Sequence, residues 1–207
     1  MYMKKMMVLA AALLLGWQAN AQIIANVGYA HGFENVKVDV SSNLSNKHLA
    51  HMDGLYAGAN YYYSLDNVLD GFAVLPGANF SFLLSRTVRE DRIREVALNI
   101  PVQASYTHEI NDVVKIFGQT GPTFQVGLIH KAKITETGTS FSLYNSNNQY
   151  GYVRNRFNIY WGFAGGVEVS DTFRVEVGFD LGFLDLGRGK ELHIGRNFLH
   201  FGLGYLF

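Results

Sequence analysis

Residues 157–183 read FNIYWGFAGGVEVSDTFRVEVGFDLGF. Phe157, Ile159, Trp161, Phe163, Val167 and Val169 alternate with Asn158, Tyr160, Gly162, Ala164, Gly166 and Glu168. After Ser170-Asp171-Thr172, Phe173, Val175, Val177, Phe179, Leu181 and Phe183 alternate with Arg174, Glu176, Gly178, Asp180 and Gly182. A period of two is the signature of a strand with two different faces. One face here is bulky and apolar apart from Gly165, while the other collects the remaining glycines and every charge of the two strands. A water-soluble barrel would turn the bulky face inward, where eight strands cannot enclose so many aromatic rings. Turned inside out, glycines and charges fill a narrow lumen and the aromatics face lipid.

The pattern recurs along the chain. Leu55, Ala57, Ala59, Tyr61 and Tyr63 oppose Tyr56, Gly58, Asn60, Tyr62 and Ser64. Val74, Pro76, Ala78, Phe80, Phe82 and Leu84 oppose Gly77, Asn79, Ser81 and Ser85, with Leu75 and Leu83 as exceptions. Val96 to Tyr106 and Val114 to Leu128 behave alike, with Lys115 on the polar side, and Leu199, Phe201, Leu203, Tyr205 and Phe207 alternate with His200, Gly202 and Gly204. The first strand, Ile24 to Phe33, is weaker, and its phase slips before Val36, Val38 and Val40, which reads as a bulge or a loop-borne extension. Each run reaches the 9–11 residues that a tilted strand needs to cross hydrocarbon.

The connections alternate long and short: Glu34–Gly54, Leu65–Gly71, Thr87–Arg94, Glu109–Val113, Lys131–Val153, Ser170–Thr172 and Asp185–His193. Short turns on one side and longer loops on the other are expected of membrane barrels, whereas a sandwich has no reason to sort loops by parity. Seven connections make eight strands. The expected fold is all-β, a closed antiparallel eight-stranded transmembrane β-barrel. The three prolines, Pro76, Pro101 and Pro122, all fall inside proposed strands, and local bulges are expected to absorb the lost donors.

The N-terminus reads as an export leader. Lys4 and Lys5 precede an apolar run from Met6 to Leu15, and Ala19-Asn20-Ala21 offers a cleavage site. The run is too short to span a membrane as a helix. The expected organisation is a signal peptide over 1–21 and a barrel over 22–207. Loss of Lys4 and Lys5 leaves 15 basic against 17 acidic residues, a balance near −2, so no nucleic-acid partner is expected. With no cysteine there is no disulfide, and no stretch after Leu15 approaches the apolar length of a membrane helix. The 22 glycines, 15 phenylalanines and 12 tyrosines suit tightly packed sheets rather than helices.

Phe201-Gly202-Leu203-Gly204-Tyr205-Leu206-Phe207 resembles the terminal strand of outer-membrane barrels. Leu98-Asn99-Ile100-Pro101-Val102 and Gly121-Pro122-Thr123-Phe124 resemble strand patterns of the small outer-membrane β-barrel families, relatives of the transmembrane barrels of outer membrane proteins A and X. The resemblance extends over the whole mature chain. It implies residence in the outer membrane among its lipids, and recognition of Phe201, Leu203, Tyr205 and Phe207 by the barrel-assembly machinery.

Candidate chemistry is sparse. Lys115, Glu168, Arg174, Glu176, Asp180, Arg196 and His200 are expected to face the lumen as a structural ion-pair network, since buried charges must be paired; a proton or ion pathway is the competing reading. No catalytic, cofactor-binding or metal residues are expected. His200 is followed by Phe201 and Gly202, not by the serine of a lipid-deacylase motif. His48, His51 and Asp53 have the spacing of metal ligands, but loop histidines are ordinarily solvated. Gly187-Arg188-Gly189-Lys190 fails as a phosphate loop because Leu184 replaces the first glycine and Glu191 follows the lysine. The polar Lys131–Val153 loop is a place for a surface ligand. The leading expectation is a non-enzymatic envelope or surface-contact barrel. The alternatives are a lipid-modifying enzyme and an accessory barrel of a secretion or assembly pathway.

Overall fold

A computed structural model describes residues 21–41, 44–86, 92–145, 154–188 and 192–207. Its strands are β1 (Ala21–Ser41), β2 (Leu44–Ser64), β3 (Phe72–Arg86), β4 (Arg92–Glu109), β5 (Val114–Lys133), β6 (Ser140–Ser142), β7 (Phe157–Val169), β8 (Phe173–Gly182) and β9 (Leu192–Leu206). The proposed leader lies outside the described residues apart from Ala21.

Neighbours in sequence pair antiparallel from β1 to β5, then β5 to β7, β7 to β8 and β8 to β9. β9 returns to β1, from Ile24 opposite Leu206 to Val38 opposite Leu192, and closes the ring. Eight strands therefore form the wall, and the short β6 extends the external end of β5, where Lys131 faces Ser142. Closure satisfies backbone groups that lipid cannot solvate, which is why an open sheet cannot span.

The two faces separate as the alternation requires. Phe173, Val175, Val177, Phe179 and Leu181 are exposed on the outside of β8, while Arg174 is buried within. Leu75 and Leu83, the two exceptions in β3, point inward and are fully buried. Bulky inward side chains need neighbours without them. A Cβ on Gly202 would stand 2.3 Å from the Tyr56 hydroxyl, and one on Gly178 would stand 2.3 Å from His200 Nε2. These glycines are the space that Tyr56 and His200 occupy.

The short connections share one end, and the β7–β8 turn there is tightest. Ser170 and Asp171 both have positive φ, 54° and 53°, the pair of left-handed residues that a two-residue hairpin turn demands. At the other end several expectations need correcting. Glu34–Gly54 is not a loop, because β1 and β2 stay in one register from Ala21 opposite Tyr63 to Asp39 opposite Ser45. No bulge precedes Val36. The apparent phase slip arises because Val36 and Val38 continue the inward face of Glu34, still laddered to Ile194 and Leu192 of β9, with apolar side chains on the face that elsewhere carries small and polar ones.

The prolines also behave differently from expectation. None sits at a register shift. Pairing between β3 and β4 skips from Pro76–Val102 to Asn79–Asn99, and between β4 and β5 from Pro101–Thr123 to Ala104–Thr120, with the register unchanged. Similarly, β2 and β3 pair at Asn60–Gly77 and again at Tyr63–Val74. Each proline thus lies where one of its two ladders is locally open, so the missing N–H leaves no acceptor behind. The bulge that β5 does carry is elsewhere: Val96 faces Ile129 and Ala97 faces Gly127, leaving Leu128 extra.

Phe179 is 37% exposed on the outer face, opposite Phe163 and Leu199. Phe179→Arg should cost about 2–4 kcal/mol in reversible unfolding from lipid bilayers. Wild-type stability for that variant would place this face away from hydrocarbon.

Candidate functional site

The most elaborate arrangement in the chain is a closed ring of five ionisable side chains across the external end of the lumen. Arg196 of β9, 2% exposed, donates from Nη1 and Nη2 to the two carboxylate oxygens of Glu95 on β4, each at 2.7 Å. Its Nε donates to Glu34 Oε1 on β1 at 2.6 Å. Arg154, ahead of β7, donates to Glu34 Oε2 at 2.7 Å. His130 of β5 closes the circuit, with Nδ1 2.8 Å from Glu95 Oε2 and Nε2 3.2 Å from Arg154 Nη1. An imidazole carrying its proton on Nδ1 donates to Glu95 and accepts from Arg154, so both contacts are satisfied by the neutral ring. Two guanidiniums then balance two carboxylates, which is the condition for keeping charges out of water.

Beneath the ring lies an apolar plug of Ala30, Met52, Leu83, Tyr160 and Phe198. A hydrogen-bonded file continues from it: Tyr160 donates to Gln125, Gln125 to Asn99 and Asn99 to Ser81. Lower still, Glu176 accepts from Tyr56 at 3.3 Å and from Gln119 at 3.1 Å, and His200 pairs with Asp180 at 3.1 Å. They surround a cavity of about 100 Å³. Toward the short-turn end, Arg174 lies 3.5 Å from the centre of the Phe117 ring and donates to Ser105 at 3.3 Å. Two of its nitrogens, Nε and Nη1, have no hydrogen-bond partner.

The seven residues read from sequence as one lumen network therefore divide. Arg196 belongs to the external ring. His200, Asp180 and Glu176 form two separate mid-lumen contacts. Arg174 is held mainly by an aromatic face, with buried Glu168 in the same region and no ion pair to it among the described residues. Lys115 is a correction: it stands at the mouth rather than in the lumen, paired at 2.7 Å with the exposed Asp171 of the turn.

Glu34, Glu95, His130 and Arg154 were not visible as site residues. Glu34 and Glu95 share the inward phase of Ala30 and Ala97, a signal present in the sequence but masked by reading both as loop-adjacent. His130 had no such signal. By simple alternation it shares the outward phase of Val126 and Leu128, and only the bulge at Leu128 turns it inward.

His48, His51 and Asp53 lie on β2 rather than in a loop. Asp53 contacts Tyr29 and His31, and His51 stacks on His31 with centroids 5.3 Å apart. Among the described residues no three such side chains converge as a metal site. At the external rim, burial pushes the Asp185 carboxyl up, but the N–H of Ile194, His193 and the N–H of Gly187 outweigh it and hold the group below the usual carboxylate range.

No family model and no curated protein sequence matches the chain. Among solved structures it is similar to Ail, the attachment invasion locus protein of Yersinia pestis, at 15% identity over 91% of this chain and 99% of that one, with a TM-score of 0.43. It is similar to the outer membrane protein OprG from Pseudomonas aeruginosa at 10% identity over 91% and 96%, with a TM-score of 0.46. The outer membrane enzyme PagL matches at 10% identity over 90% and 98%, with a TM-score of 0.39.

Replacing Arg196 by Met should strand the buried Glu95 carboxylate, leave Glu34 with Arg154 as its remaining partner, and cost about 3–5 kcal/mol in bilayer unfolding. Adding Glu95→Gln leaves Glu34 paired with Arg154 and should restore more than half of that loss. Equal losses in the single and double variants would show that the ring is not held by charge balance.

Proposed function

We propose that this chain is a non-enzymatic integral protein of the bacterial outer membrane that makes surface contacts through its external end. The leader expected over residues 1–21, the apolar outer wall and the aromatic C-terminal strand support the location. The ring of Arg196, Glu34, Glu95, His130 and Arg154, lying over an apolar plug, supports a scaffold rather than a pore, because an eight-strand interior is only wide enough to be filled by its side chains.

The observation that carries the contact role is the β1–β2 arm. β3 meets β2 no farther out than Asp53, opposite Leu84, yet β2 remains paired with β1 to Leu44. From Leu44 to Met52, roughly 30 Å of strand at about 3.3 Å per residue, β2 has no second neighbour among the described residues. The matching edge of β9 is covered instead, by bonds from Leu186 to Ile194 and from Ile194 to Asp185. An uncovered edge offers free N–H and C=O groups to an extended segment of another chain. The partner class is an extended peptide at the cell surface.

The enzymatic alternative draws on no specific observation: His200 pairs with Asp180, but in the chain it is followed by Phe201 and Gly202 rather than by a serine. Assembly is proposed to depend on Phe201, Leu203, Tyr205 and Phe207, all outward and exposed, with Tyr205 packed edge-on against Phe207 at 4.7 Å.

Replacing residues 37–47 by an Asn-Gly turn should leave a heat-modifiable barrel. A photo-crosslinker at Leu49, 60% exposed on the arm, should capture a surface partner on intact cells, whereas one at Phe179 should capture lipid. The short-arm protein should lose the biological contact, and retention of that contact would remove the arm from the reading. Mass spectrometry of lipid A should give one profile in deletion and overexpression strains, and a change in acyl chains or phosphates would establish the enzyme instead. Deleting Phe207 should lower the yield of heat-modifiable protein, and an unchanged yield would contradict its role in assembly.

A further inference from the structure

Three segments meet at the external rim: 143–145 after β6, 154–157 entering β7, and 184–188 after β8. They are stitched together. Arg154 N donates to Leu143 O at 2.8 Å, Asn155 N donates to Leu186 O at 2.8 Å, and the Asn155 side chain donates to Asp185 O at 3.1 Å. Between them is a cavity of about 540 Å³, lined by Tyr144, Arg154, Arg156, Phe157, Leu184 and Arg188, with Asn155 and Asp185 completing its wall.

The charges in this wall are not equally committed. Arg154 is spent on Glu34. The Asp185 carboxylate accepts from Gly187 N at 2.8 Å and Ile194 N at 2.7 Å and contacts His193 at 2.5 Å, so its oxygens are occupied. Two guanidiniums remain. Arg156 is fixed 4.7 Å above the Tyr144 ring, and one nitrogen, Nη1, makes long contacts of 3.4 and 3.5 Å to the carbonyls of Gly127 and Leu128. Most of its five N–H donors stay available. Arg188 is exposed and has no side-chain partner among the described residues. Among the described residues, two uncommitted guanidiniums against the single Asp185 carboxylate leave the cavity wall net positive, with one arginine already held in place.

Its lower edge is apolar. Phe157 and Leu184 are 44% and 37% exposed and continue into Leu128 and Phe183 of the lipid-facing wall. A soluble anion would leave that edge unused. A ligand with an anionic head and a hydrocarbon tail uses both, because guanidiniums clasp phosphate oxygens in pairs while the tail stays in the bilayer. We propose that this cavity binds the phosphorylated headgroup of an outer-leaflet lipid, with Arg156 and Arg188 holding the phosphate and Phe157 and Leu184 supporting the first acyl carbons. The site rests on the reading that the long-loop end of the barrel faces the outer leaflet, and it is independent of the arm and its partner.

The test uses the mature barrel, native mass spectrometry, and three probes: a bis-phosphorylated outer-membrane glycolipid, the same lipid without phosphates, and inorganic phosphate. The phosphorylated lipid should be retained about tenfold better than its dephosphorylated form, and inorganic phosphate should not displace it. Arg188→Gln, which removes no described contact, should weaken retention severalfold, and R156Q/R188Q should abolish it. Equal retention of both lipids, displacement by inorganic phosphate, or retention unchanged in these variants would each overturn the lipid site. Heat-modifiable migration is followed in parallel. Its loss in the unmodified protein would fault the barrel reading, while its persistence without lipid retention would fault the site alone.

Discussion

The ladder between β1 and β9 is the constraint from which the rest of the molecule follows. In hydrocarbon an unpaired N–H or C=O has no water to turn to, so a sheet can span only by joining its first strand to its last. Once Ile24 is set opposite Leu206 and the register runs unbroken to Val38 and Leu192, the direction of every side chain is settled by parity. Even-numbered residues of β8 and β9 must go inside, whatever their chemistry. Arg174, Glu176, Asp180, Arg196 and His200 are inward for that reason before any question of pairing arises.

Enclosure then creates a second problem, which the interior solves differently at different depths. Near the external end charge is balanced by charge, in a ring drawing on four strands and the segment before β7. In the middle, single carboxylates are held by neutral donors, Tyr56 and Gln119 on Glu176, or by His200 on Asp180. Near the short turns, Arg174 rests on the Phe117 face with two nitrogens unpartnered. The tightest polar packing therefore coincides with the end where the wall is cut unevenly and the arm begins. Glu34, the residue that ties β1 into the ring, sits at the base of that arm. A long two-stranded projection with one open edge is marginal by itself, and anchoring its root through two arginines gives it a rigid base.

Much of this was legible in the chain because a membrane barrel is specified by two simple variables, the parity of each residue and the length of each connection. Phe157 to Phe183 gave both cleanly, and the parity of the connections gave the strand number and the closed form. The failures share one physical cause, which is that parity is a local count and the count can be disturbed or misread. At Leu128 one extra residue reverses it, which hides His130. At Val36 and Val38 nothing reverses it, and residues that look like a lipid-facing run still follow the inner face in unbroken register with β9. The prolines show the opposite error: Pro76, Pro101 and Pro122 disturb hydrogen bonding without disturbing the count, because each donor is missing where a ladder is already open.

Lys115 and Arg154 mark the boundary of what parity can decide. Lys115 has the inward phase, yet at the second residue of β5 a long side chain reaches the mouth and pairs with Asp171 in the facing turn. Arg154 lies in no named strand and enters the lumen only because its backbone is held to Leu143 and Gly187. Side chains at the rim answer to the loops that fold over them, and loops carry no periodic signal. The arm and the basic cavity belong to the same category: the wall fixes where they stand, while the edge exposure and uncommitted charge from which their proposed ligands are argued do not alternate with residue number.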